Sequence, residues 1–210
     1  MKIIVTKLLI LGFAFTAHAQ GTWIEISTPT FKDLNAIQFV SNQVGYVSGD
    51  SVLLKTVDSG ATWTQMMLDS IPHNINQTLD ILDMHWFDEN HGYIMAGPWG
   101  GFYETLDGGL DWEYTGTANA GFCQTSALFF FDDNNGFAGG AGCFEGHIID
   151  RFESGLWSTT NDPNDWDSQN WVTCIEFANA SFGLAGTING TLLRTTDGGL
   201  NWDTISNLAG

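Results

Sequence analysis

Three nine-residue strings, KTVDSGATW (55–63), ETLDGGLDW (104–112) and RTTDGGLNW (194–202), repeat one polar turn closed by one tryptophan. A turn that recurs with its tryptophan marks a structural unit that recurs, and a unit this short cannot bury both of its faces alone. The flanking sequence repeats as well. IQFVSNQVGYVSG (37–49), MHWFDENHGYIMAG (84–97), LFFFDDNNGFAGG (128–140) and IEFANASFGLAG (175–186) fall into register. In each, an aromatic residue (Phe39, Trp86, Phe130, Phe177) stands six positions before a glycine (Gly45, Gly92, Gly136, Gly183). Those glycines are 47, 44 and 47 residues apart, which is about the length of one propeller blade.

Each unit reads as four short strands. An apolar, aromatic strand runs into a polar turn (SNQV, DENH, DDNN, NASF), and a second strand opens on the glycine. A third strand, such as SVLLKT or GTLLRT, leads into the quoted turn, and a fourth begins at its tryptophan. No part of the chain after residue 20 shows helical periodicity of useful length, so the sequence predicts an all-β fold. The expected architecture is a β-propeller of four-stranded antiparallel blades, at about 36–69, 82–116, 126–170 and 172–208. The third unit departs from the pattern: its turn is assigned to STTNDPNDW (158–166), with Asn161 at the aspartate position, Pro163 at the glycine position and Trp166 at the head of the last strand. Proline cannot reach positive φ and has no N–H, so a distorted turn is expected there.

The turn chemistry follows from a sharp reversal, which leaves backbone N–H groups pointing into the loop for a short carboxylate to accept. Asp58, Asp107 and Asp197 suit that role, with Thr56, Thr105 and Thr195 tying the third strand to the loop. Gly60, Gly109 and Gly199 supply the positive φ. Trp63, Trp112, Trp166 and Trp202 are expected to fill the wedges between blades. The pattern S/T-x-D-x-G-x-T-W resembles the Asp-box, or BNR repeat, of sialidase-like β-propellers. The longer pattern of aromatic strand, G-Y/F-x-x-G, LL-[KR]-T and D-G-G-x-x-W resembles the photosystem II stability/assembly-factor propellers. The resemblance covers about residues 37–206 and implies the fold. It also implies that the box aspartates lie away from any active site.

Composition narrows the function. A sialidase grips its substrate carboxylate with several arginines, whereas this chain holds only Arg151 and Arg194. The assembly factors are taken to present a basic patch, which an acidic chain lacks. MKIIVTKLLILGFAFTAHA (1–19) reads as a cleaved export signal, with Lys2 and Lys7 before a short apolar run and Ala17-His18-Ala19 at the cut. Its removal leaves four basic against 24 acidic side chains, a formal charge of −20. Nucleic acid is therefore excluded as a partner, and no later segment is long and apolar enough for a membrane helix. The expected product is a secreted or cell-surface, non-catalytic binding or scaffold module whose ligand is a protein or a glycan. It needs no cofactor or metal.

The alternative is a propeller glycoside hydrolase working through a carboxylate pair. Its candidates are Asp88, Glu89, Asp132 and Asp133 in the first turns, and Glu145 and Asp150 in the third unit. His73, His85, His91 and His147 lack ligand spacing, while Asn76, Asn179 and Asn189 fit the N-x-[ST] sequon. Recognition is expected on the long, non-repetitive loops at 66–83, 115–126 and 141–155. Of three cysteines, Cys123 and Cys143 are expected to form a disulfide and leave Cys174 free. Finally, GTWIEIST reads as an outer strand over 21–27 with no blade of its own to complete. The ring is therefore expected to be open or incomplete, with further blades missing after Gly210.

Overall fold

The computed structural model describes residues 24–69, 71, 79–96, 101–117, 122–142, 147–160 and 171–205. Among these residues, sixteen strands form four separate antiparallel sheets, each a meander in chain order. Blade 1 comprises β1 (Leu34–Phe39), β2 (Gly45–Gly49), β3 (Val52–Thr56) and β4 (Thr64–Gln65). Blade 2 comprises β5 (Ile81–Trp86), β6 (Gly92–Ala96), β7 (Gly101–Thr105) and β8 (Glu113–Thr117). Blade 3 comprises β9 (Phe122–Asp132), β10 (Asn135–Gly142), β11 (His147–Glu153) and β12 (Leu156–Thr159). Blade 4 comprises β13 (Val172–Phe177), β14 (Gly183–Thr187), β15 (Leu192–Thr195) and β16 (Asp203–Thr204). The protein is all-β, a four-blade propeller.

The six-residue spacing has a steric origin. Phe39 pairs across the first hairpin with Gly45, Trp86 with Gly92, Phe130 with Gly136 and Phe177 with Gly183. Each ring lies flat over its glycine. A Cβ on Gly136 would stand 2.4 Å from the Phe130 ring, and one on Gly92 would stand 2.5 Å from Trp86. Only glycine leaves room for that ring.

Three joints hold the blades together. Val44, Tyr46 and Leu53 of blade 1 pack on Met84, Trp86, Ile94 and Trp112 of blade 2. Tyr93, Met95 and Phe102 of blade 2 pack on Leu128, Phe130 and Phe152 of blade 3. Phe137 and Ile149 of blade 3 pack on Ile175, Phe177, Leu193 and Trp202 of blade 4. In each joint a ring on one blade's rear face stacks on the glycine-covering ring of the next: Tyr46 on Trp86 at 3.5 Å between centroids, Tyr93 on Phe130 at 4.9 Å and Phe137 on Phe177 at 4.7 Å. Polar ties between inner strands reinforce the stacking. Gln38 binds both the N–H and the carbonyl of Trp86, Asp83 accepts the Leu128 N–H, and Ser126 donates to the Val172 carbonyl.

Among the described residues, no buried cluster joins blade 1 to blade 4. The inner strands touch in the sequence β1–β5, β5–β9 and β9–β13. The front face of blade 1 keeps a small core of its own, Val47, Val52 and Leu54 with Trp63 against it. Residues 24–27 form no strand. Instead, Ile26 and Thr28 lie beside Ile37, Val47 and Trp63, lining a shallow apolar cleft.

Candidate functional site

The three clean turns are built alike. Asp58 accepts from Thr56 Oγ1 at 2.8 Å and from both the N–H and the hydroxyl of Thr62, at 2.8 and 2.6 Å. Asp107 takes the Thr105 hydroxyl and the N–H groups of Leu110 and Asp111. Asp197 takes the Thr195 hydroxyl and two bonds from Asn201. In each, the threonine hydroxyl also accepts from the glycine N–H (Gly60, Gly109, Gly199), and those glycines sit at φ of 85°, 90° and 80°. Bonds that favour the ionised form hold all three carboxyls low, Thr62 being the main cause for Asp58 and the Asp111 amide for Asp107. For Asp197, held at about 2, the bond from the Asn201 side chain leads. Trp112 and Trp202 are buried, whereas Trp63 is only half-buried.

Blade 3 makes the same reversal differently. β11 turns into β12 through Ser154-Gly155, both at positive φ (52° and 87°), the backbone of a two-residue type I′ hairpin. Trp157 then takes the wedge position. It stacks on Phe102 at 4.5 Å and meets Phe152 at 5.0 Å. Like Trp63, Trp112 and Trp202, it stands two residues before the fourth-strand residue that pairs with the middle of the third strand. Asn161 and Trp166, assigned to that turn from sequence, lie outside the described residues. The E-S-G-L string was the signal for the shorter turn.

The carboxylates proposed for catalysis are engaged in turns or packing. Asp88 accepts the Asn90 and His91 amides, the Asn90 bond being the main cause of its lowered pKa. Asp132 is held low chiefly by the Asn134 amide. Glu89 takes the Ser41 hydroxyl and Asp133 the Asn134 side chain. Asp150 is fully buried in blade 3, and Glu145 is outside the described residues. Asp83, which sequence did not single out, is pushed up to about 6 by burial, although the Met84 and Leu128 amides both donate to it. His85, among the rings of Phe87, Phe129 and Phe130, is pushed down to about 4 by burial.

His91 pairs with Glu104 at 2.9 Å. Among the described residues, no group of three His, Cys, Asp or Glu side chains converges to hold a metal, and no helix is long and apolar enough to cross a membrane. His73, the His147 side chain, Asn76, Cys143 and the Cys123 side chain are also outside them, so the disulfide and the longest loop tips are not placed. Cys174 is free and exposed.

The feature best suited to hold a ligand is the rim between blades 3 and 4. Phe137 and Arg151 are cross-strand partners on β10 and β11, just as Tyr46 and Lys55 are on β2 and β3. In the first joint that pair fills the rim: the Tyr46 hydroxyl donates to the Glu89 carbonyl at 2.8 Å, and Lys55 reaches the carbonyls of Glu89 and Gly108. Phe137 has no hydroxyl, and Arg151 turns instead toward Glu153 at 3.4 Å. A cleft of about 350 Å³ remains, lined by Phe131, Phe137, Arg151, Asp132, Asp197 and Leu200. Ala180 and Gly198, at the positions of Glu89 and Gly108, also line it, and among the described residues neither carbonyl receives a side-chain donor.

No protein-family model matches the chain, and no curated protein does. Solved structures do resemble it. YCF48 bound to D1 peptide aligns with a TM-score of 0.52 at 14% identity, over 86% of this chain and 84% of that one. An ancestral GH74 enzyme aligns at 0.63 and 17% identity, over 90% of this chain, and the GH74 xyloglucanase from Xanthomonas campestris at 0.58 and 17%, over 79%. This chain spans only 26% and 28% of those two enzymes. The chain therefore has the β-propeller fold, which it shares with YCF48 and the GH74 enzymes.

Proposed function

We propose that this protein is an exported, non-catalytic propeller that binds a segment of another protein in the cleft between blades 3 and 4. One observation carries the reading: the rim position filled by Tyr46 and Lys55 in the first joint is left open in the third, with complementary groups around it. Two backbone carbonyls accept, the Arg151 guanidinium donates, and Phe131 and Phe137 offer apolar floor. An extended peptide presents the matching set of N–H, carbonyl and side chain. The Asp132 and Asp197 carboxylates are already committed to turn amides. That a fold neighbour is seen with a bound peptide supports the class of ligand. Export rests on the 1–19 leader.

The hydrolase reading draws support from the GH74 fold neighbours, of which this chain covers 26% and 28%. The test is to screen the purified mature chain against immobilised peptide and glycan arrays, then to repeat the hits with Arg151→Ala. Peptide binding weakened by that substitution supports the reading. Turnover of a β-glucan that is abolished by one Asp or Glu substitution overturns it.

A further inference from the structure

The front face of blade 1 and the rear face of blade 4 carry the two halves of the joint this chain makes three times internally. The front face of blade 1 carries Ile37, Phe39, Val47, Leu54 and Trp63. By strand register these match Met84, Trp86, Ile94, Tyr103 and Trp112 of blade 2. The blade 2 set is buried in a joint; on blade 1, Val47 and Leu54 are covered within the blade and Ile26 lies beside Val47, whereas Ile37 is 66% and Phe39 44% exposed. The rear face of blade 4 carries Phe182, Leu184, Leu192 and Arg194, matching Val44, Tyr46, Leu53 and Lys55 of blade 1. Val44, Tyr46 and Leu53 are buried, while Phe182 is 37% exposed and Leu184 and Leu192 are half-exposed. Cys174 pairs with Gly186 as Ala36 pairs with Ser48. Ala36 packs into the first joint, whereas Cys174 is exposed.

We infer that a second copy of this chain docks head to tail, with the rear face of blade 4 against the front face of blade 1. The occupant is chosen by position-by-position complementarity to an interface already present in the molecule. Leu184 takes the place of Tyr46 over Phe39, the glycine-covering ring. Arg194 takes the place of Lys55, which reaches the carbonyls of Glu89 and Gly108, and so meets the carbonyls of Asn42 and Ser59. Glu176, at the position of Gln38, accepts the Phe39 N–H as Gln38 accepts that of Trp86. Such an interface is heterologous, so copies joined through it form a ring or a string. The copies are strongly acidic, so added salt strengthens the contact by screening their repulsion.

Sedimentation of the purified mature chain over a concentration series tests this. Self-association is expected, strengthened by salt. Ile37→Asp and Arg194→Glu, both at exposed positions, are each expected to weaken it by more than about tenfold, because each places an uncompensated charge in the contact. Arg151→Ala leaves association unchanged, which separates this inference from the peptide cleft. In oxidising buffer Leu34→Cys is expected to form a covalent dimer with Cys174, lost when Cys174→Ser is added. Ala36 packs against the cluster that holds Ile81, and these two are the register equivalents of Cys174 and Leu34. A chain that stays monomeric at every concentration overturns the inference. So does association indifferent to both charge substitutions, or use of these faces by a different protein with no contact between copies.

Discussion

Replacing Trp157 by alanine asks whether the third blade really closes its wedge with a residue nine positions earlier than repeat alignment assigns. The indole stacks on Phe102 at 4.5 Å and 21°, with Phe152 at 5.0 Å and Phe130 at 6.3 Å. It therefore ties blade 2 to blade 3. Truncating a fully buried tryptophan costs about 3–5 kcal/mol. Trp157 is half-buried, so the expected loss is about 2–3 kcal/mol. For a chain of this size that lowers Tm by about 5–10 °C. Urea unfolding followed by far-UV circular dichroism reads it as a lower midpoint at unchanged slope. Trp112→Ala and Trp202→Ala, at buried positions, are the upper reference. Should Trp157→Ala cost less than about 1 kcal/mol while Trp166→Ala costs about 3, the hairpin at Ser154-Gly155 does not place the wedge residue and the sequence alignment was right.

Two further outcomes follow from the same geometry. Gly190→Ala and Gly199→Ala impose the same backbone strain, since both glycines sit at φ of 80°, which costs about 1–2 kcal/mol. At Gly190 a Cβ meets nothing within 4 Å, but at Gly199 it stands 2.3 Å from the Phe137 ring. The Gly199 variant should therefore be less stable than the Gly190 variant by about 1–3 kcal/mol, and equal midpoints would remove the packing argument. Desolvation of the half-buried Asp83 raises its folded pKa to about 6, above the ordinary carboxylate value, so protonation stabilises the folded chain. Its contribution is greatest below the unfolded value and fades as pH rises through 6. Wild type should thus gain about 1 kcal/mol on Asp83→Asn between pH 8 and pH 5, and a pH-independent difference between the two proteins would refute the burial assignment.

The repeat was legible because its causes are local. A ring must lie over a residue without a Cβ, so the aromatic and the glycine are bound by one hairpin and keep a spacing of six. A carboxylate must satisfy amides three and four positions on, so Asp58, Asp107 and Asp197 announce their turns. These short-range constraints determine strand order, blade count and the all-β class. They also carried the expectation of an open ring.

Tertiary structure decided whatever depends on residues some 47 positions apart. Tyr46, Tyr93 and Phe137 look interchangeable in the repeat, yet the missing hydroxyl of Phe137 acquires meaning only beside the Ala180 and Gly198 carbonyls of the next blade. Asp83 and Gln38 read as ordinary polar residues on an inner strand, and only the neighbouring blade makes them interblade ties. Residues 24–27 carry a strand-like pattern but find no ladder partner, because pairing is a property of the edge they reach and not of their own side chains. Trp157 was passed over for the same reason. Alignment by letters preferred the tryptophan with the box-like spacing, whereas packing chose the one whose two-residue hairpin delivered it to Phe102.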